Sequence, residues 1–295
     1  MRLKTLGLAM GLSTMMLCSA QAAENGNTQY APGAAQFFAG GFPPYPGVYF
    51  LSQTNYYHSS RLNDGNGDKL PIDFDVKTIA ETMRFLFITP VEIAGGQLTS
   101  QLVVPLVNVD LSLPYTSAQT FGLADVVGSL GLSWHPDRNN SYSIGIDISA
   151  PTGEYDVNDP ASPGLNHWSF QPAMGYHYSD PEGLEVGAVA RLIFNTENKD
   201  TGYTSGNEFV LDYAVGWNID KWRVGAVGYV LQQLTDDSGP TAPADGHRGR
   251  GFAIGPSLSY AFHPGLQLSA SWQHDFVAEN KAQGDTVWFN IATKF

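Results

Sequence analysis

Three things are scarce in this chain. There is one cysteine in 295 residues, there are few positive charges, and no apolar run past the N-terminal segment is long enough to cross a bilayer as a helix. The lone Cys18 excludes a disulfide within the chain, so an oxidising compartment would add nothing to its stability. Fifteen lysines and arginines face 28 aspartates and glutamates. That deficit excludes nucleic acid as a partner, because phosphate binding requires clustered cations that displace counterions. A transmembrane helix needs about 20 mostly apolar residues, and none is available. A β-barrel escapes that requirement, since only alternate residues must face lipid. Mean hydropathy is −0.15, while 32 glycines and 12% aromatic residues favour β-structure.

The N-terminal 22 residues read as a secretory signal. Arg2 and Lys4 form a basic start, Thr5 to Cys18 an apolar stretch, and Ala20-Gln21-Ala22 a small-x-small cleavage pattern. Leu17 stands where lipid modification of Cys18 would require a small residue, so Cys18 is expected to leave with the signal. Losing Arg2 and Lys4 leaves 13 bases against 28 acids, a net charge of −15.

Period-two alternation predicts twelve strands, at 47–58, 73–89, 96–112, 122–135, 140–151, 166–180, 183–197, 206–219, 221–234, 248–262, 265–278 and 285–295. The faces are clean in the second half. Phe209, Leu211, Tyr213, Val215 and Trp217 share one side of their strand, and Glu208, Val210, Asp212 and Ala214 share the other. The last strand sets Val287, Phe289, Ile291 and Phe295 against Trp288, Asn290, Ala292 and Lys294, with Phe295 as the terminal aromatic signal of barrel assembly. A soluble β-sandwich is the rival, but its strands usually run about five or six residues. These are long enough for the roughly 9–11 residues of a tilted membrane strand.

Connections alternate in length. Those near 59–72, 113–121, 152–165, 198–205, 235–247 and 279–284 are mostly long and polar; Pro90–Gly95, Pro136–Asn139, Asp180-Pro181-Glu182, Asp220 and His263-Pro264 are tight. Short periplasmic turns and long external loops are the barrel pattern. The expected fold is therefore all-β: a transmembrane antiparallel β-barrel of about 12 strands over 47–295, in the cell outer membrane. Two features resist it. Pro172 and Pro256 fall inside strands, where each removes a ladder donor. In 73–89, Lys77 and Glu81 share one face and Arg84 takes the other.

The residues also carry a family resemblance. Tyr30-Ala31-Pro32-Gly33, Pro46-Gly47-Val48-Tyr49, Ala150-Pro151-Thr152-Gly153-Glu154-Tyr155, Trp168-Ser169-Phe170-Gln171-Pro172, the run Phe194 to Thr201, Ser205-Gly206-Asn207-Glu208-Phe209, Asp236-Asp237-Ser238-Gly239, Ile254-Gly255-Pro256 and Phe295 stand along nearly the whole chain. In these it resembles the outer-membrane barrel family named for the meta-cleavage pathway of phenol degradation. The resemblance implies passage of small organic molecules across the outer membrane. It holds the two prolines as well, which favours tolerated bulges over misplaced strands. It transfers no substrate-binding residue.

Candidate chemistry is sparse. Asn166, His167 and Ser169 suggest a barrel-wall hydrolase, but no oxyanion donor or oriented base accompanies them. Asp64-Gly65-Asn66-Gly67-Asp68, with Asp75 twelfth, imitates a calcium loop, yet Lys69 replaces the glycine of the turn. Asp236-Asp237 and Asp156, Asn158 and Asp159 read as solvated loop acids or as bridges through divalent cations to lipopolysaccharide. No metal and no cofactor is expected.

Strand parity turns Asp125, Asp147, Glu185, Arg191, Asp212, Arg223 and Asp275 toward the lumen as pore-lining residues, with Lys294 near the periplasmic rim. Ionised groups in that number suit a wet channel. A barrel sealed by paired charges, such as Arg191 with Glu185 or Asp212, is the alternative. Five acids against three bases predict a modest cation preference. Outward Trp168, Tyr178, Trp217, Trp222, Trp272 and Phe295 suit interfacial girdles. Residues 23–46 stand either as a periplasmic leader or as a plug. The function expected is a porin-like channel for passive transport of small organic solutes, aromatic or hydrophobic ones included. A non-conducting structural or surface-interaction barrel is the alternative, and a hydrolase ranks behind both. Its expected partners are outer-membrane lipid and lipopolysaccharide, the solute and the barrel assembly machinery.

Overall fold

The computed structural model describes residue 24, residues 28–263 and residues 265–295. The expected signal, 1–22, and Pro264 of one expected turn lie outside the described residues. Thirteen strands follow in order: β1 (Gly47–Ser59), β2 (Asp75–Ile93), β3 (Gly96–Leu113), β4 (Thr116–Leu123), β5 (Val126–Trp134), β6 (Asn140–Ala150), β7 (Ser169–Ser179), β8 (Leu184–Asn195), β9 (Glu208–Ile219), β10 (Trp222–Gln233), β11 (Arg250–His263), β12 (Leu266–Glu279) and β13 (Asp285–Lys294). Every pairing is antiparallel, and β1 meets β13 from Tyr49↔Lys294 to His58↔Asp285, which closes the sheet. Strands β4 and β5 occupy one position: β4 pairs with Leu106–Leu113 of β3, and β5 with Gln97–Val103. The barrel is thus a closed ring of twelve strand positions. Around the ring each strand position is paired on both sides, the condition for crossing lipid with strands; at the external end β4 pairs with β3 alone.

The stretch 113–121, expected as a long loop, is instead the tip of a hairpin. Only Pro114 and Tyr115 separate β3 from β4. Leu111, Leu113 and Ala118 turn inward there to join Leu62, Phe74 and Ala161 in an apolar cluster roofed by the external loops. The ladder breaks at Ala124-Asp125, where Asp125 accepts the backbone N–H groups of Thr152, Gly153 and Leu165 at 3.1, 2.9 and 3.0 Å. On the periplasmic side, Ala94 and Gly95 link β2 to β3 with φ of 51° and 75°, the two positive values that a two-residue primed hairpin turn demands.

The prolines sit in correctly placed strands, and neither marks a bulge. Phe170↔Phe194 and Ala173↔Arg191 flank Pro172 in one unbroken register. Ile254↔His274 and Ser257↔Ser271 do the same around Pro256, while the register shifts of β11 lie at Phe252/Ala253 and Ala261/His263. Both prolines point outward, so the ring meets lipid and only the ladder on one side loses a donor.

The inner and outer faces separate as alternation predicts. On β9, Glu208, Val210, Asp212 and Ala214 are buried inward, while Val215, Trp217 and Ile219 are exposed on the outer wall. Phe50 and Phe85, 5.1 Å apart, mark the periplasmic girdle. Trp217, Trp222 and Phe295 also lie at that end, and Trp168 and Trp272 lie at the other.

Strand β2 resolves into an inward Arg84 and an outward Glu81. Glu81 accepts hydrogen bonds from Ser52 Oγ and Thr54 Oγ1 of β1, both at 2.5 Å. These three groups form a polar patch on the lipid face, between the Phe50–Phe85 girdle and Tyr56. A carboxylate facing lipid is destabilising in a depth-dependent way. Glu81→Leu is therefore expected to stabilise the barrel in lipid vesicles by about 1 kcal/mol, read as a shift of the urea midpoint. A lower midpoint would show that the patch is covered in the membrane.

Candidate functional site

The lumen is partly filled by the chain's own N-terminal segment. Residues 28–46 run inside the barrel from the external loops to the start of β1 at the periplasmic rim. At the outer end, the backbone N–H of Glu24 donates to Ser205 Oγ (3.2 Å), and Asn198 Nδ2 donates to the Glu24 carboxylate (2.8 Å). Thr28 Oγ1 donates to Glu208 (2.7 Å), and Gln29 bridges Asp125 (3.0 Å) and Ser149 (2.7 Å).

Asp212 is the central anchor. Its buried carboxylate accepts Tyr30 OH at 2.5 Å, Gly33 N–H at 2.8 Å and Ala35 N–H at 2.9 Å. Gln53 Nε2 donates to Ala34 O (2.8 Å), Gln273 Nε2 to Gly33 O (3.2 Å) and Ser271 Oγ to Gln36 Oε1. Apolar packing adds to these bonds. Tyr30 leans on Ile193, Val210, Tyr229, Leu231 and Ala253, and Phe37 is buried against Ala214 and Val227. Gly40 then passes so close to the wall that a Cβ would stand 2.3 Å from Ala188 O and 2.4 Å from Tyr176 O, with φ at +71°. Only glycine fits that crossing.

All seven candidate pore residues point inward, but each carboxylate among them has a partner. Asp147 forms an ion pair with Arg191. Glu185 pairs with Arg223 at 2.7 Å and lies 3.3 Å from His177 Nε2. Arg191 thus bonds Asp147, not Glu185 or Asp212: β6 and β8 flank β7 with the two groups within two residues of one level, while Asp212 on the adjoining strand is taken up by Tyr30, Gly33 and Ala35. The Arg191 guanidinium lies 4.1 Å over the Tyr30 ring, and that of Arg223 lies 5.2 Å over Phe37. Asp275 accepts Tyr229 OH (2.5 Å) and Gly284 N–H (3.1 Å). Asp125 holds the external loops. Two of the five inward acids are thus paired with arginines, while Asp125, Asp212 and Asp275 receive neutral N–H and O–H donors.

Among the described residues, two cavities lie beside the N-terminal segment. The periplasmic one, about 600 Å³, is bordered by Arg84, Asp147, Arg191, His263 and Lys294 among others. The external one, about 430 Å³, has an apolar wall of Val103, Val107, Val109, Val127 and Trp288, faced by Gln53, Asn55, Gln171 and Lys281. Tyr30, Arg84 and Asp147 border both and form the waist between them. Of the seven candidates, Asp125, Asp147 and Arg191 border a cavity. Glu185, Asp212, Arg223 and Asp275 lie behind the N-terminal segment or under loops. Sequence reasoning passed over Tyr30, Gln53, Gln171 and Trp288. Arg84 carried a signal, as the lone charge on the inner face of its strand.

The other constellations resolve without a reactive centre. His167 Nδ1 lies 3.2 Å from Trp168 O, and Ser169 Oγ accepts from Gln171 Nε2 at 2.7 Å, so no bond joins the two. Asn166 donates to Asn198 and Asp200, both at 2.9 Å. Burial pushes the His167 imidazole below its ordinary pKa. Asp64 Oδ1 accepts the N–H groups of Asp68 and Asn66, both at 2.9 Å, and these bonds hold its carboxyl below the usual range. Asp75 lies 2.9 Å from both His58 and Lys77. Among the described residues no cluster of three His, Cys, Asp or Glu could hold a metal ion. Of the loop acids expected to be solvated, Asp236 stays more than half exposed, whereas Asp237 is buried and binds the loops together. Asp237 accepts Tyr203 OH at 2.5 Å and Gly206 N–H at 2.7 Å, and Asp236 pairs with Arg248 at 2.6 Å.

A sequence profile of the family described as "Putative MetA-pathway of phenol degradation" matches residues 59–291. Among solved structures, the chain is similar to the COG4313 outer membrane channel from Pseudomonas putida F1, with 16% identity over 90% of this chain and 100% of that one, at a TM-score of 0.77. It is also similar to the beta domain of the Bordetella autotransporter BrkA, with 12% identity over 85% of this chain and 100% of that one, at a TM-score of 0.52. At such identities the likeness shows the fold, a transmembrane barrel of the outer-membrane type. No curated protein sequence matches the chain.

Proposed function

The chain belongs to the phenol-degradation MetA-pathway family of barrels, and from that premise we propose that it is an outer-membrane channel for passive passage of small organic solutes, aromatic and hydrophobic ones included. One observation carries the reading: two cavities lie end to end in the lumen, joined at Tyr30, Arg84 and Asp147, with an apolar wall along β3. A cavity lined mostly by apolar groups with a few placed polar ones suits a small, largely apolar ligand. Asp125, Asp147 and Arg191 line this route, while Glu185, Asp212, Arg223 and Asp275 shape it from behind by holding the N-terminal segment. The outer-membrane channel from Pseudomonas putida F1, which shares the fold, supports the reading. Outer-membrane lipid, lipopolysaccharide and the barrel assembly machinery complete its surroundings.

The number of bonds tethering residues 28–46 favours a second reading, a barrel that does not conduct. Planar-bilayer recording of the mature chain, alongside a variant lacking residues 24–45, separates the two. Conductance in the mature chain, rising in the deletion variant, supports a partly occluded channel. Silence in both forms overturns it.

A further inference from the structure

We propose that the waist of the lumen is a binding site for a small organic anion with an apolar body, recognised through Arg84. The proposal rests on the channel reading and names the class of solute that the channel prefers.

Arg84 reaches inward from the middle of β2 to the place where the two cavities meet. It donates one long hydrogen bond among the described residues, Nη1 to Gln53 Oε1 at 3.3 Å. Among the described residues Arg84 forms no ion pair. Asp147, the other charged group at the waist, is already engaged by Arg191. Tyr30 has committed its hydroxyl to Asp212 and presents its ring. The waist therefore offers one guanidinium with donors to spare and no carboxylate of its own to satisfy them.

The surroundings select what completes it. A planar guanidinium pairs with a carboxylate through two parallel hydrogen bonds, a geometry that a lysine or a neutral amide does not reproduce. The apolar wall begins one step away on the neighbouring strand: Arg84 pairs with Val103, and Val107 and Val109 follow outward. A carboxylate seated on Arg84 would lay its apolar body along these valines and against Val127 and Trp288. On the periplasmic side, Lys294 borders the adjoining cavity, so a cation beyond the waist favours an anion's exit. A free inorganic anion would gain the charge contact but nothing from the apolar wall. A neutral aromatic would gain the wall but leave Arg84 unanswered.

The test is equilibrium titration of the purified, folded mature chain with sodium benzoate as the anionic probe and benzyl alcohol as its uncharged counterpart. Trp288, buried in the external cavity, supplies a fluorescence readout, and calorimetry supplies an independent one. Benzoate should bind saturably and more tightly than benzyl alcohol. Arg84→Gln should weaken benzoate by roughly tenfold or more, the loss of a charge-assisted hydrogen bond, and bring the two probes close together. Arg84→Lys should recover part of the difference, which keeps the test alive if the glutamine variant folds poorly. Equal binding of the two probes to the wild-type chain, or a benzoate preference that survives in Arg84→Gln, overturns the proposal. Because binding is read without current, this failure is separate from silence in the bilayer, which would overturn the channel reading itself.

Discussion

Asp212→Ala should release the N-terminal segment from the lumen wall. In the native chain, one buried carboxylate receives three donors from residues 30–35. Alanine leaves Gly33 N–H and Ala35 N–H without an acceptor in a buried setting. Each orphaned group costs about 1–3 kcal/mol, so the docked state loses several kcal/mol of its advantage over the released one. At about 1.4 kcal/mol per factor of ten, that moves a rare state into measurable population. The expected signs are fast cleavage within residues 24–45 by protease added to folded protein, and larger, noisier bilayer currents. Asp212→Asn keeps an acceptor oxygen and should give a smaller effect in the same direction. In a chain already lacking residues 24–45, Asp212→Ala should leave the conductance nearly as it was, since the segment it anchors is gone. Protection and current equal to wild type in Asp212→Ala would show that Gln53, Gln273 and the Phe37 packing suffice to hold the segment.

Arg191→Gln should be among the most destabilising changes to a single side chain of the barrel wall. Arg191 is 6% exposed and pairs with Asp147 across β7. It also donates to Gln171 Oε1 at 3.2 Å and covers the Tyr30 ring. Removing one partner of a buried ion pair costs about 3–5 kcal/mol, because the other charge stays behind uncompensated. The double variant Arg191→Met with Asp147→Leu removes both charges and should recover most of that loss. The transition between heat-modified and native gel mobility, followed against temperature or urea, reports both. A single variant as stable as wild type would mean that water in the adjoining cavities already solvates Asp147.

These two residues also show how far the sequence reaches. Alternation along Glu208–Ile219 placed Asp212 inward and Phe209 outward before any coordinates, because a strand's side-chain period is fixed at two by backbone geometry. The same rule fixed the inward face for all seven charged candidates. Strand length and alternating loop length pointed to the closed ring. All of these are local properties, and each residue's own neighbours determine them.

Partnership is not local. Arg191 bonds Asp147, 44 residues away, because register across β6, β7 and β8 brings them within two residues of one level, while Asp212 on the adjoining strand is taken up by the N-terminal segment. Parity gives the face of each residue but not its depth relative to another strand, so Glu185 and Asp212 were equally eligible on sequence grounds. Asp212 meets Tyr30 across 182 residues, a contact that exists only once the ring has closed around the segment before β1. That segment has no alternation to announce its path. Its course is set by donors and acceptors scattered over β1, β9 and β12, which come together only in the barrel. The sequence by itself therefore determined the barrel, its membrane and which side chains turn inward, through short-range backbone periodicity. The tertiary structure alone decided which inward charges are spent on holding the N-terminal segment, and that Arg84 forms no ion pair among the described residues at the waist.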